Sequence, residues 1–374
     1  MQVNSQIIAI KESFGKGFSA PDAASGVVMR QGEEGVVMKQ SEKVEGLEVG
    51  IKRVPPRICV IIPCFRVRNH ILDVLARIDK LVEAIYVVDD RCPDESGRFV
   101  EAQCQDPRVR VIYHEVNQGV GGAVLTGVEK ALLDKMDICV KIDGDGQLDA
   151  ALLPLFVRPI IAGEADFTKG NRFYNPDDVR NMPAVRLIGN AALSFLTKLS
   201  TGYWDIFDPT NGYIAVDARL LANLPRDKIE KRFLFETDLL FRVGLLRAKV
   251  LDIPMTAIYG SEKSNLRIHR EILRFFVCNM KNFSKRLVYN YFLRDFNIAS
   301  LELIFGALFT IFAVGYGIAH WGAGQPASAG IVMIAALPLL AGIMLLLSFV
   351  NFDVQQIPRE TMSARLAIGR REGA

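Results

Sequence analysis

The first two-thirds of the chain alternates short apolar runs with longer segments whose apolar residues recur at helical spacing. Four apolar runs predict buried strands: ICVIIP (58–63), AIYVVDD (84–90), RVRVIYH (108–114) and DICVKID (137–143). Three segments between them predict amphipathic helices: residues 69–81, 94–104 and 121–135. Strands that alternate with helices at this spacing are typical of an α/β domain with a mostly parallel sheet covered by helices on both faces. Ligands of such sheets bind at the carboxyl ends of the strands.

Two of the predicted strands end in paired carboxylates. Asp89 and Asp90 close the second strand, and Asp143 and Asp145 lie at the end of the fourth. Residues two apart on an extended segment point to the same side, so Asp143 and Asp145 would repel each other at neutral pH unless a cation lies between them. Oxygen-only ligands favour Mg²⁺ or Mn²⁺. The pattern therefore predicts a divalent metal at this edge of the sheet, where it would bridge a diphosphate.

Two long apolar segments near the end of the chain differ from everything before them. Residues 299–321 carry one charge, Glu302, and residues 327–350 carry none. Each segment is about the length needed to cross a bilayer as a helix. Lysines and arginines flank the pair on both sides and are absent from the short link, which predicts that both flanks face the cytoplasm. The alternative is a buried helical hairpin in a soluble protein.

These patterns divide the chain into five regions. Residues 1–55 are expected to form a loosely ordered extension, and they lack the pattern of a signal peptide. Residues 56–266 are expected to form the α/β domain. Residues 267–297 alternate basic and apolar side chains, which favours helices lying on a membrane surface over an ordinary surface helix. The spans then occupy residues 298–351, and residues 352–374 form a cytoplasmic tail.

Composition narrows the classes of function. The chain has 374 residues, of which 50% are hydrophobic, and its net charge of +3 is too small to indicate a nucleic-acid partner. The six cysteines occur singly, without a CxxC motif or a Cys/His cluster. This spacing disfavours zinc and predicts reduced, mostly buried thiols of a cytosolic domain.

Six short motifs follow one another along the chain: VIIPCF, YVVDDRCPDESG, NQGVGGAVLTG, VKIDGDGQLD, KGNRF and DPTNGY. Their order and spacing resemble family 2 glycosyltransferases with a GT-A fold. The resemblance extends over about residues 57–350. It is strongest to the polyprenyl-phosphate branch, which includes dolichol-phosphate mannose and glucose synthases and bacterial enzymes with paired C-terminal spans. It implies an integral membrane enzyme of cell-envelope polysaccharide synthesis, with two spans and a cytoplasmic catalytic domain, most simply in a bacterial inner membrane.

The resemblance also implies roles for individual residues. The nucleotide-sugar pocket would be lined by Pro63, Asp89, Asp90, Asp143 and Gln147. The metal, Mg²⁺ or Mn²⁺, would be held by Asp143, Asp145 and Gln147, and Asp145 would be catalytic. The acceptor phosphate would be bound by Arg172, Arg186, Lys263 and Arg267, and Asp208 would shape the acceptor side. Arginine suits this work because its planar fork meets phosphate oxygens in pairs. For each of these cations the alternative is a surface salt bridge.

The implied reaction moves a sugar from a nucleotide-diphosphate donor to the phosphate of a polyprenyl lipid, undecaprenyl or dolichyl, with inversion at the anomeric carbon. A phosphate oxygen is already ionised near neutral pH, so no strong base is needed. Catalysis then rests on positioning and on metal stabilisation of the leaving diphosphate. Related enzymes pack through their spans, so a homo-oligomer is a further expectation.

Three alternatives stay open on the sequence. A sugar hydroxyl as acceptor would require a base, for which Asp238 is the first candidate and Glu236 the second. Both carboxylates equally suit a helix start, where they favour the helix dipole. A processive polysaccharide synthase is disfavoured, because neither Trp204 nor Trp321 follows an arginine as a QxxRW motif requires. The third alternative is a catalytically dead membrane scaffold.

Overall fold

The computed structural model describes residues 55–176, 180, 184–256, 268–321 and 328–365. The N-terminal extension and two of the predicted phosphate contacts, Lys263 and Arg267, lie outside the described residues. The backbone of Arg186 belongs to a helix, but its side chain is not among those described.

A seven-stranded sheet forms the centre of the α/β domain. Its strands are β1 (Ile58–Cys64), β2 (Ala84–Asp89), β3 (Val109–Tyr113), β4 (Ile138–Lys141), β5 (Phe167–Asn171), β6 (Ile214–Asp217) and β7 (Val250–Pro254). They lie in the order β3-β2-β1-β4-β6-β5-β7. All neighbouring pairs are parallel except the two that β6 makes with β4 and β5. The mostly parallel sheet predicted from the sequence is therefore confirmed.

Helices cover both faces of this sheet. They are α1 (Ile71–Ala76), α2 (Ser96–Gln103), α3 (Val120–Leu133), α4 (Leu153–Ile161), α5 (Ala184–Thr201), α6 (Ala218–Asn223) and α7 (Phe235–Leu245). Successive strand residues point to opposite faces, so Ile61 and Ile62 of β1 enter two different cores. Burial on both faces explains why β1 and β2 read as continuous apolar runs rather than alternating ones.

The helix predicted over residues 69–81 is shorter than expected. It ends at Ala76, and the Asp79 side chain accepts a hydrogen bond from the backbone N–H of Leu81 at 2.8 Å. Such local bonds give the backbone an alternative to the helical pattern. The six cysteines are free thiols and four of them are buried, as predicted.

Three long helices follow the α/β domain. They are α8 (Ile268–Val288), which continues into a π-helical segment (Tyr289–Arg294), α9 (Ile298–Trp321) and α10 (Ala329–Gln355). Residues Ile298–His320 and Ala329–Gln355 are long and apolar enough to cross a membrane. Only 22% and 11% of their most apolar windows are buried. This exposure is unlike that of a core hairpin, so the alternative of a buried hairpin is disfavoured.

One buried carboxylate joins α10 to the rest of the protein, and we call it with its partners the Asp353 node. Arg286 of α8 donates hydrogen bonds from Nη1 and Nη2 to the two carboxylate oxygens of Asp353, at 2.6 and 2.9 Å. Tyr291 donates its hydroxyl to Asp353 Oδ1 at 2.6 Å, and Trp204 donates its indole N–H to Oδ2 at 3.1 Å. Asp353 and Arg286 are almost fully buried. The node therefore holds the end of α10, the helix α8 and the α/β domain together.

Candidate active site

The acidic segment after β4 forms a turn at the carboxyl edge of the sheet. The strand ends at Lys141, and the turn through residues 144–146 is completed by Gly146 with a positive φ of 77°. Asp145 therefore does not continue an extended segment with Asp143, and the prediction that both lie on one extended segment was wrong. Within the turn, the backbone N–H of Gln147 donates to Asp145 Oδ1 at 3.0 Å.

A buried lysine lies against the first of these carboxylates. Lys141 Nζ is 2.8 Å from Asp143 Oδ1 and 3.0 Å from Glu236 Oε1, which belongs to α7. Burial lowers the pKa of Lys141, but the charges of Asp143 and Glu236 and its hydrogen bonds to them outweigh burial and raise that pKa above its usual value. Lys141 thus stays protonated and offsets part of the negative charge. Sequence reasoning missed it, although a lysine in an apolar strand directly before two aspartates was a visible signal.

Gly212 leaves room for the Asp143 side chain. A Cβ atom at this position would lie 1.9 Å from Asp143 Oδ2, so the Asp143 side chain would have to move. Gly212 belongs to the DPTNGY motif and directly precedes the residues that lead into β6. Because β6 runs antiparallel to β4, this motif is brought back beside the acidic turn. Two motifs that lie far apart in the sequence thus build one site.

Asp89 and Asp90 lie at the end of β2, as predicted, and each has 3% of its surface exposed. Each carboxylate accepts hydrogen bonds from two backbone N–H groups at 2.7 to 2.8 Å: those of Cys92 and Gly97 for Asp89, and those of Gln118 and Gly119 for Asp90. His114 Nδ1 is also 2.7 Å from Asp90 Oδ1. These bonds shape the loops that lead into α2 and α3. Contact with a nucleotide stays a prediction.

A surface cavity of about 380 Å³ opens beside these aspartates and is lined by Asp89, Arg91 and Tyr113 among others. Pro63, the remaining residue of the predicted pocket, is half-buried in β1 and pairs with Val88 of β2. The predicted nucleotide residues of β1, β2 and the acidic turn therefore share the carboxyl edge of the sheet.

Arg172 and Asp208, both assigned to the acceptor side, lie in direct contact. Arg172 Nε and Nη2 donate to the two carboxylate oxygens of Asp208 at 2.7 and 2.9 Å. Asp208 has 1% of its surface exposed, whereas the Arg172 side chain is 20% exposed. The buried carboxylate therefore fixes the guanidinium at the end of β5. Binding of the acceptor phosphate by Arg172 stays a prediction.

Two further ionisable groups lie beneath this pair, and sequence reasoning did not find them. Lys169 of β5 is fully buried, and Asp252 pairs with it in register on β7. Burial lowers the pKa of Lys169 to about 8, against the charges of Asp208 and Glu236 that raise it. Burial likewise raises the pKa of Asp252 to about 6.

The two candidate bases of α7 point to different places. Asp238 accepts hydrogen bonds from the backbone N–H of Glu230 at 3.0 Å and from Arg242 Nε at 2.9 Å, and it lies 3.3 Å from Asn282 of α8. These contacts tie α7 to its neighbours. Glu236 instead meets Lys141 at the acidic turn. The structure thus brings Glu236, the second candidate, and not Asp238, to Asp143.

The side chains of the acidic turn suit a hard divalent cation in chemistry, although they are too few to enclose one. Asp143, Asp145 and Gln147 offer only oxygen donors, the kind that Mg²⁺ and Mn²⁺ prefer. Among the described residues, no group of three or more His, Cys, Asp or Glu side chains is arranged to hold a metal ion. Any cation here would complete its shell with oxygens of a ligand or of water.

Comparison with known proteins gives one family match and several relatives. Residues 59–224 match the family model described as "Glycosyl transferase family 2". The UDP-N-acetylglucosamine–dolichyl-phosphate N-acetylglucosaminyltransferase of Methanococcus voltae is 29% identical over 216 residues, which cover 54% of this chain and 86% of that protein. The undecaprenyl-phosphate mannosyltransferase of Micrococcus luteus is 29% identical over 206 residues, which cover 54% and 84%.

Among solved structures, glucosyl-3-phosphoglycerate synthase from Mycobacterium tuberculosis, in complex with Mn²⁺, uridine-diphosphate and phosphoglyceric acid, superposes with a TM-score of 0.48 at 19% identity. The match covers 61% of this chain and 78% of that one.

Proposed function

Residues 59–224 form a glycosyl transferase family 2 domain of the expected GT-A fold, and we propose that this glycosyltransferase moves a sugar from a nucleotide-diphosphate donor to the phosphate of a polyprenyl lipid. The proposal takes its acceptor from relatives whose names include dolichyl-phosphate and undecaprenyl-phosphate. The sugar and the nucleotide are left to experiment.

The observation that carries the proposal is the attachment of the α/β domain to two helices able to cross a membrane. Through Trp204 of the domain and Arg286 of α8, the Asp353 node fixes both to the end of α10. A lipid acceptor stays in the membrane, so an enzyme that uses its phosphate must hold its active site at the bilayer surface. Positive residues on both flanks of the spans support a cytoplasmic location for this domain.

The residues of the acidic turn would serve the donor. Asp143, Asp145 and Gln147 would hold Mg²⁺ or Mn²⁺ together with the diphosphate. When bound, the cation would neutralise negative charge on the leaving diphosphate. Lys141 keeps Asp143 in place and offsets its charge before the donor arrives. At the other side of the site, Asp208 holds the guanidinium of Arg172, which would bind the acceptor phosphate.

The reaction is then a direct displacement. An oxygen of the acceptor phosphate attacks the anomeric carbon, a new carbon–oxygen bond forms, and the bond to the diphosphate breaks. The nucleoside diphosphate leaves with the bonding electron pair, and the anomeric configuration inverts. The acceptor oxygen carries no proton near neutral pH, so that no proton transfer is required at this step.

A donor screen tests this function. Proteoliposomes that contain the full chain and polyprenyl phosphate are supplied with radiolabelled UDP- and GDP-sugars and with Mg²⁺ or Mn²⁺. We expect label in the lipid extract for one donor, and none when polyprenol without phosphate replaces the acceptor. Label in water-soluble or polymeric product alone would favour a hydroxyl acceptor, and no turnover with any donor would favour a scaffold.

A further inference from the structure

A second cavity lies across the first turn of α7 from the acidic turn. It has a volume of about 570 Å³ and is enclosed by residues 227–232, the start of α7 and one side of α8. Thr237 and Asp238 face this cavity, whereas Glu236 faces Lys141. It is therefore separate from the proposed donor site, although Asp238, the first candidate base, lines it.

The lining of this cavity is strongly basic. Two of its arginines are neutralised by carboxylates: Arg274 pairs with Glu230 at 2.8 Å and Arg242 with Asp238 at 2.9 Å. Five other cations line it without a carboxylate partner among the described residues: Lys228, Lys231, Arg232, Lys281 and Lys285. The one remaining carboxylate of the lining is Asp227. Like charges gathered in a recess repel each other, so the site favours an anionic ligand.

The cations of α8 border directly on an apolar strip. A helix turns by about 100° per residue, so Lys281, Lys285 and Arg274 share one strip of α8. The neighbouring strip exposes large apolar side chains to solvent: Leu273, Phe276, Val277 and Val288. A helix with this division lies in a membrane surface with its apolar strip among the acyl chains and its cations at the level of the headgroups.

We propose that this cavity binds the phosphate headgroup of an anionic bilayer phospholipid. Its cations stand where headgroups would lie if the apolar strip of α8 enters the bilayer, and lysines at this depth are attracted to anionic lipid. The proposal rests on the membrane location that the proposed function requires. The acceptor lipid carries the same phosphate chemistry, but the first turn of α7 separates the cavity from Asp143.

Lipid binding to the purified full chain tests the site. The protein in neutral detergent is titrated with phosphatidylglycerol or phosphatidylcholine, and bound lipid is counted by native mass spectrometry. The double variant Lys281→Gln/Lys285→Gln removes two cations of the cavity. The control Arg77→Gln/Lys80→Gln removes two exposed cations near the end of α1. We expect phosphatidylglycerol to bind about tenfold more weakly to the first variant and equally well to the control and the wild type. Binding of phosphatidylcholine should not change.

Phosphatidylglycerol binding that is the same in wild type and cavity variant would overturn the proposal, as would an equal loss in the control. A second arm separates the two phosphate sources. In nanodiscs of phosphatidylcholine alone, the cavity variant should keep the wild-type KM for polyprenyl phosphate. A KM raised about tenfold there would assign the cavity to the acceptor and overturn a phospholipid site. Failure of the wild type to transfer sugar, with its lipid selectivity intact, would refute the proposed function and leave this site standing.

Discussion

The carboxylates of Asp143, at the acidic turn, and of Asp353, at the node, differ in how many charged and hydrogen-bonding partners each one has. At the Asp353 node, both oxygens are held by the planar fork of Arg286 and each accepts one further hydrogen bond, from Tyr291 or Trp204. At the acidic turn, Asp143 meets one lysine, and its side chain stays 30% exposed. A buried polar group whose hydrogen bonds are all made is held rigidly in one geometry.

The choice of cation in each cluster agrees with this difference. The guanidinium of Arg286 has a fixed fork that matches a carboxylate in one geometry, whereas the ammonium of Lys141 is a point charge on a flexible stem. Lys141 can keep its ion pair while Asp143 adjusts to a ligand. The node therefore holds helices and domain together, whereas the acidic turn has room for a ligand, in agreement with the proposed donor site.

The largest effect is expected from Asp145→Asn at the acidic turn. This change keeps the shape of the side chain and its capacity to accept the N–H of Gln147, but it removes a charge of the proposed cation and diphosphate site. We expect kcat for sugar transfer to fall by about 100-fold or more, in line with the loss of one electrostatic contact to a developing charge. The measurement is radiolabel transfer to lipid at saturating donor.

Asp149→Asn is the matched control in the same loop. Asp149 accepts the backbone N–H of Ala151 at 3.1 Å, and asparagine caps a helical turn about as well as aspartate. Its activity should stay close to that of the wild type. Full activity of Asp145→Asn would show that the charge of Asp145 is not needed for the reaction and would contradict the role proposed for the acidic turn.

At the Asp353 node, a substitution should instead lower the stability of the protein. Asp353→Asn leaves Arg286 buried without a countercharge, and breaking a buried pair from one side costs about 3–5 kcal/mol. We expect the free energy of unfolding in detergent to fall by that amount. The exposed pair of Arg98 and Glu95, 71% and 60% exposed, provides the control, and Arg98→Gln should change stability by less than about 1 kcal/mol.

Replacing both partners of the node sharpens this prediction. In Arg286→Met/Asp353→Leu no charge is left buried, so most of the lost stability should return. A double variant no more stable than Asp353→Asn alone would show that the hydrogen bonds to Tyr291 and Trp204, rather than the buried charge, hold the node together.

The half-buried Asp252 gives a pH-dependent effect of intermediate size. Its pKa of about 6 in the folded protein lies above the usual value for aspartate because the side chain is buried. The protonated form therefore stabilises the fold, and this contribution is present below about pH 4 and lost as the pH rises to about 6. The difference corresponds to about 3 kcal/mol. Asp252→Asn should flatten the unfolding free energy over this range.

Urea titrations at pH 4, 5 and 6 measure this slope. Asp106 serves as the control, because its hydrogen bond with Arg108 lowers its pKa, which is opposite to the shift of Asp252. Asp106→Asn should therefore not flatten this slope. An unchanged slope in Asp252→Asn would mean that this carboxyl titrates normally in the folded protein.

The sequence predicted those features that depend on neighbours along the chain. The apolar runs and their spacing gave the four parallel strands β1 to β4, and the lengths of two apolar segments gave the helices α9 and α10. The aspartates at the ends of β2 and β4 were found in the same way. Each of these signals is contained within about 25 residues, and hydrophobic periodicity is a local signal.

Most of the missed features depend on residues that meet only after folding. Lys141 and Glu236 are 95 positions apart, and Trp204 and Asp353 are 149 apart. The antiparallel direction of β6, which brings Gly212 against Asp143, follows from strand pairing and leaves no local pattern. A buried lysine beside two aspartates was readable in the sequence, but its second partner was not.

The smallest effect is expected from Glu236→Gln. This variant tests whether the acceptor at the acidic turn is a phosphate or a sugar hydroxyl. Lys141 keeps Asp143 as its partner in this variant. An ionised phosphate needs no base, so kcat with polyprenyl phosphate should fall by less than about tenfold. A sugar hydroxyl must lose a proton, and removal of its base costs about 100-fold or more. The pH profile of kcat separates the two cases, because only the loss of a base would be relieved at high pH. A 100-fold loss relieved in this way would make Glu236 the base and the acidic turn a centre of proton transfer.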